Sequence, residues 1–190
     1  MLPSSEIMTS RRKIGLVVAG CLLLSSRIVP AQEESIIVFP KDKPVIEAQF
    51  PEGFKAAFRK DGTCLAVGSK TVMALVAWEK TKNAATAKSG LPEFAKSFLL
   101  RSLSFREASV QGVEEANLPR SFDGQEAVAA KVLTGTGKNS DGEEMSISVT
   151  AFPWAHRYFV LFAVCNSPNK EQLAKDRDFV LSSVTDINDD

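Results

Sequence analysis

Apolar and polar residues in the first half of this chain form short runs of strand length. Val45–Phe50, Phe54–Phe58, Thr63–Val67 and Thr71–Trp78 are divided by the turn residues Pro51-Glu52-Gly53 and Asp61-Gly62. Asp-Gly between alternating apolar runs predicts a tight hairpin. Thr71–Trp78 is apolar at nearly every position, the pattern of a strand buried on both faces. Lys80–Ser89 is polar and alanine-rich and reads as a loop. The period then changes. Leu91, Phe94, Ala95, Phe98 and Leu99 recur at helical spacing and predict a helix, with Pro92 in its first turn and Arg101 near its end.

The second half returns to period two. Arg106–Val110 and Gly112–Ala116 are short strand candidates, and 117–124 is turn-rich, with Pro119 and Asp123-Gly124. Glu126–Thr134 reads as a strand, 135–142 as an exposed hairpin loop, and Glu144–Phe152 as a half-buried strand. In that last strand Met145, Ile147, Val149 and Ala151 face one way and Ser146, Ser148 and Thr150 the other. Arg157–Cys165 pairs back across the turn Pro153-Trp154-Ala155-His156. A closing helix has Asn169 and Gln172 at capping-box spacing and Leu173, Val180, Leu181 and Val184 as its inner face. Hairpin-linked strands with helices laid outside predict an α+β fold. It is a mostly antiparallel sheet with two main helices packed outside, an α/β/α sandwich.

Residues 1–31 belong to a different pattern. Arg11-Arg12-Lys13 precedes the eleven-residue apolar run Ile14–Leu24, and Val29-Pro30-Ala31 follows it. A cationic start, a short apolar stretch and a small-residue site make a secretory signal peptide, with cleavage expected after Ala31. At about 1.5 Å per residue the run spans roughly 17 Å, about half of a ~30 Å hydrocarbon core. Val18-Ala19-Gly20-Cys21 also resembles the lipobox of bacterial lipoproteins, which makes Cys21 the alternative lipid-attachment site. Residues 32–44 read as a linker capturing one short strand, Ile36–Phe39. Residues 45–185 form a single α+β domain, and 186–190 a polar, frayed tail.

Composition narrows the function classes. The whole chain is formally neutral, but the leader holds four cationic side chains and one acidic one. The remaining 159 residues therefore carry 19 basic and 22 acidic side chains, a net charge of −3. A mildly acidic surface gives no footprint for nucleic acid. No further stretch is apolar enough to span a membrane. Cys64 and Cys165 remain after cleavage. In an oxidising compartment they are a candidate disulfide, and the other reading is two separate buried thiols.

No catalytic, metal or cofactor constellation emerges. The chain has one histidine, His156, and no CxxC pair, so a zinc site is not expected. No G-x-S-x-G nucleophile turn is present. Leu133-Thr134-Gly135-Thr136-Gly137-Lys138 echoes a phosphate loop but lacks the full motif and a following helix. Asn139–Glu144 is acidic yet misses calcium-loop spacing. Asp61, Asp123, Asp141, Glu143, Glu144, Asp176 and Asp178 read as solvated charge in turns and helix ends.

Five features follow one another along residues 45–185: Phe50-Pro51-Glu52-Gly53-Phe54, the helix around Leu91–Leu103, the hairpin across 126–152, the strand Tyr158-Phe159-Val160-Leu161, and the closing helix ending Leu181-Ser182-Ser183-Val184. This order resembles the PsbP-like and DcrB-like α/β/α sandwich proteins. The resemblance implies an exported or lipid-anchored, non-enzymatic accessory protein and transfers no functional residue. The expected function is therefore an exported, non-catalytic accessory or binding protein with a protein partner in the cell envelope. The candidate contact surface is the 134–143 loop together with Trp154, His156 and Arg157. The alternative is an extracytoplasmic hydrolase using Asp and Glu carboxylates, since two carboxyl groups suffice for glycoside hydrolysis.

Overall fold

The computed structural model describes residues 36–78, 84–118, 128–154 and 157–187. The leader with Cys21, residues 119–127 with the expected turn residues Pro119 and Asp123-Gly124, and His156 lie outside them. In chain order the elements are β1 (Ile36–Phe39), β2 (Ile46–Gln49), β3 (Lys55–Phe58), β4 (Cys64–Val67), β5 (Thr71–Ala77) and α1 (Ala84–Ser102). They continue with β6 (Glu107–Leu118), β7 (Val128–Lys138), β8 (Glu144–Trp154), β9 (Arg157–Asn166), α2 (Lys170–Ser182) and β10 (Thr185–Asp186). Seven strands form one antiparallel sheet in the order β3-β4-β5-β9-β8-β7-β6, and β1-β2-β10 form a small second sheet.

The large sheet is the middle of three layers. On one face α1 buries Leu91, Ala95, Phe98 and Leu99 against Met145, Ile147, Val149 and Phe162. Phe98 stacks on Phe162 with ring centroids 4.3 Å apart, and Trp78 stacks on Phe94 at 5.0 Å. On the other face α2 and the small sheet cover Met73, Leu75, Phe159, Leu161 and Cys165. Phe39 of β1 is fully buried there, between Phe58 at 6.1 Å and Phe159 at 5.9 Å. Each fully buried side chain of this size contributes roughly 1.5–3 kcal/mol. β5 and β9 lie at the centre and are buried on both sides, as the unbroken apolar run of β5 requires.

Several boundaries differ from the sequence reading. Helix α1 starts at Ala84, so 84–89 is helix rather than loop, and Pro92 lies inside it rather than in its first turn. Ala84, Ala85 and Ala87 carry the highest intrinsic helix propensity, and the packed stripe beyond Pro92 anchors the rest. The two strand candidates around Gly112 are one strand, β6. Its register shifts between Gln111 and Glu114, where Gly112 takes a φ of +68° that admits glycine readily. The first half of the expected 135–142 loop is strand. β7 runs to Lys138, and the turn is confined to Asn139–Glu143. Gly135 and Gly137 are there because β6 comes too close for a side chain; a Cβ on Gly135 would meet the Ser109 carbonyl oxygen at 2.1 Å.

The ends are tied down as well. The short strand expected within 32–44 is present as β1, which pairs with β2 and buries Phe39 in the core. Of the expected tail, Asp186 pairs with β2 as the end of β10, and the Ile187 amide donates to the Val45 carbonyl. Asn169 makes no side-chain cap on α2. Gln172 instead donates to Asp176 Oδ1 at 2.7 Å, so the expected capping box does not form.

Candidate functional site

The face of the large sheet beneath α2 changes character across the strands. Residues opposite one another in an antiparallel pair share a face. The register puts Cys165, Ser146, Thr136 and Ser109 in one row across β9-β8-β7-β6. The next row on the same face holds Ala163, Ser148, Thr134 and Gln111. Cys165 and Ala163 belong to the apolar core. From β8 outward both rows are polar. α2 lies along this boundary, with Leu173 buried toward β9.

Between α2 and the polar rows is a cleft of about 350 Å³. Its sheet side is formed by Ser109, Gln111, Thr134, Thr136, Ser146 and Ser148, and its helix side by Lys170, Leu173, Ala174 and Arg177. Ser146 and Ser148 are buried at its base, whereas Ser109, Gln111 and Lys170 are exposed at its mouth. Arg177 spans the cleft: Nη1 donates to Ser148 Oγ at 3.1 Å. Its Nε donates to Asp178 Oδ1 at 2.8 Å, and Nη2 stands 2.7 Å from the same oxygen. A hydroxyl as buried as Ser148, at 1 % exposure, is costly unless bonded, and the guanidinium supplies that bond. The lining contains no carboxylate, thiol or imidazole. It offers hydroxyls, one amide and two cationic groups, which is chemistry suited to recognition.

Sequence reasoning missed this site because its residues come from four separate elements. The visible signal was the Ser146/Ser148/Thr150 side of β8, read as a solvent face. All three are buried, because α2 and the neighbouring strands roof that side. The rejected phosphate-loop echo contributes too: Thr134 and Thr136 lie on β7 and point their row into the cleft.

The other sequence-predicted residues fare differently. Cys64 sits opposite Leu75 and Cys165 opposite Thr71, on the two sides of β5. Four residues along and two strands across separate their Cα atoms by roughly 16 Å. A disulfide needs less than about 7 Å, so the candidate bond does not form and both are free, buried thiols. Burial pushes the Cys64 thiol up to about 12. Burial, and then the negative charge of Asp176, pushes Cys165 up to about 11. Asp176, expected to be a solvated charge, is buried at 6 % exposure.

Trp154 and Arg157 face each other in the β8–β9 hairpin, and Trp154 is half-buried against the α2-side core. The Asn139–Glu143 turn lies at the opposite end of the eleven-residue β8, about 33 Å away. The proposed contact surface is therefore two separate places. Within that turn Asn139 Oδ1 accepts from the Asp141 and Glu143 amides, and Nδ2 donates to Glu143 Oε2 at 2.9 Å. Among the described residues, no three His, Cys, Asp or Glu side chains come together as metal ligands. No helix among them is long and apolar enough to cross a membrane.

No protein-family model matches this sequence, and no curated protein does. Solved structures do match. LpqN of Mycobacterium tuberculosis, described as involved in cell envelope biogenesis, shares 12 % identity. The match covers 83 % of this chain and 92 % of LpqN, with a TM-score of 0.47. The solution structure of cyanobacterial PsbP from Synechocystis sp. PCC 6803 shares 14 % identity over 85 % of this chain and 98 % of that one, with a TM-score of 0.57. The fold of this chain is thus the PsbP-like α+β fold, with an antiparallel sheet between helical layers.

Proposed function

We propose that this chain is an exported, non-catalytic accessory or binding protein of the cell envelope, and that it holds its partner in the cleft beneath α2. The observation that carries the reading is the cleft's lining: five hydroxyls, one amide and two cations converge on one space, the groups that hold a ligand by hydrogen bonds and charge. The leader supports the compartment. Cleavage after Ala31 releases the chain, whereas lipidation of Cys21 would tether it, and an intact mass of the envelope form separates the two.

Site-specific cross-linking tests the cleft. A photoreactive residue placed at Gln111, at the mouth, is expected to capture a partner from the native envelope. The same residue at Glu52, exposed in the β2–β3 turn, is expected to capture nothing in common with it. Equal capture from both positions would remove the cleft from consideration. Substrate turnover lost on a single carboxylate-to-amide change would replace the binding reading with the hydrolase.

A further inference from the structure

The charge balance and the polar rows together define what the cleft selects. Asp178 lies against the guanidinium of Arg177 and offsets its charge while fixing its orientation. Asp176 is on the β9 side of the helix, close enough to Cys165 to raise its thiol, and is not part of the lining. Lys170 at the mouth adds a second cation, so the rim carries a net charge of about +1. That balance matches one negative charge better than two. The sheet side presents five hydroxyls and the Gln111 amide in two parallel rows, with neighbours within a row about 4.8 Å apart and the rows about 6.6 Å apart. Groups that both donate and accept at that spacing suit a ligand with several hydroxyls of its own. Leu173 and Ala174 give the helix side a small apolar surface against which a ring can lie. The volume of about 350 Å³ is at the small end of ligand sites.

We infer that the cleft binds a polyhydroxylated monocarboxylate of sugar-acid type, its carboxylate held by Arg177 and Lys170 and its hydroxyls by the Ser/Thr rows. This rests on the cleft being the binding site. The ligand's source is either a free sugar acid or such a residue within an envelope glycan. Comparing glucuronate with a glucuronate-containing tetrasaccharide separates the two.

Titration calorimetry of the exported protein with glucuronate, glucose and glucose 6-phosphate tests the assignment. Glucuronate should bind about ten-fold tighter than glucose, and tighter than the doubly charged phosphate. Arg177→Gln should weaken glucuronate about ten-fold or more. Lys170→Gln, at an exposed position, should weaken it about three- to five-fold at low salt and less at high salt. Lys175→Gln, exposed on α2 outside the lining, should leave it unchanged. Equal affinity for glucose and glucuronate, or indifference to both cleft substitutions, would overturn the assignment. If glucuronate fails while the Gln111 cross-link still forms, the sugar-acid assignment falls and the cleft reading stands. If the cross-link is lost as well, both fall.

Discussion

Cys64 has no exposed surface and Cys165 has 1 %, so water cannot solvate a thiolate at either position. Both folded-state values are raised above the ordinary 9.0, to about 12 and about 11. The sign follows from linkage: the folded state holds these protons more tightly than the unfolded chain does. Their contribution to stability is fully present below pH 9 and is lost as pH rises toward 11 and 12. At pH 8 neither thiol in the native protein should react with a thiol reagent on the time scale of labelling, and two should react after denaturation. Rapid native labelling of either one would contradict the burial. Ser148 shows the same physics with a different outcome, since its buried hydroxyl is retained because Arg177 reaches it.

At the scale of elements, α1 is held by aromatic contact rather than by propensity. Its sequence contains Gly90 and Pro92, and its stripe meets the sheet through Phe98 on Phe162. Phe98→Ala should cost about 3–5 kcal/mol in urea unfolding, from lost transfer energy, the cavity and the ring pair. Phe179 on α2 is 42 % exposed, and Phe179→Ser should cost less than about 1 kcal/mol. Similar losses at both positions would contradict this placement of the helices. The β3–β4 turn also reaches α1: Arg59 Nη1 donates to the Ser102 carbonyl at 2.7 Å, satisfying one of the helix's terminal acceptors.

For the whole molecule, the small sheet closes the second core by joining both ends of the domain. β1 comes from the N-terminal side, β10 from the C-terminal side, and β2 pairs with both. Ser183 adds to the closure: its Oγ accepts from the Gln49 amide at 2.8 Å. A chain beginning at Pro40 lacks β1 and leaves the Phe39 site empty. It should lose about 3–5 kcal/mol relative to a chain beginning at Gln32 and become sensitive to limited proteolysis. Matching unfolding curves for the two chains would show that β1 is dispensable.

Sequence alone determined what depends on local period and local chemistry. Strand-length runs, Asp61-Gly62 and Gly142 turns, the helical stripe from Leu91 to Leu99 and the all-apolar β5 are each set by side chains a few residues apart. From these the α+β class and the PsbP-like order of elements were legible. The extents of α1, β6 and β7 were not, because packing carries an element past a proline, a bulge or a pair of glycines that would end it in isolation. Strand order was not legible either, and it decided two further matters. It placed Cys64 and Cys165 on opposite sides of β5, and it aligned Ser109, Thr136 and Ser146 into a row that only exists once three strands are in register. The cleft belongs to that second category. Its hydroxyls are unremarkable along the chain and become a site only where α2 lies over them and buries part of the row.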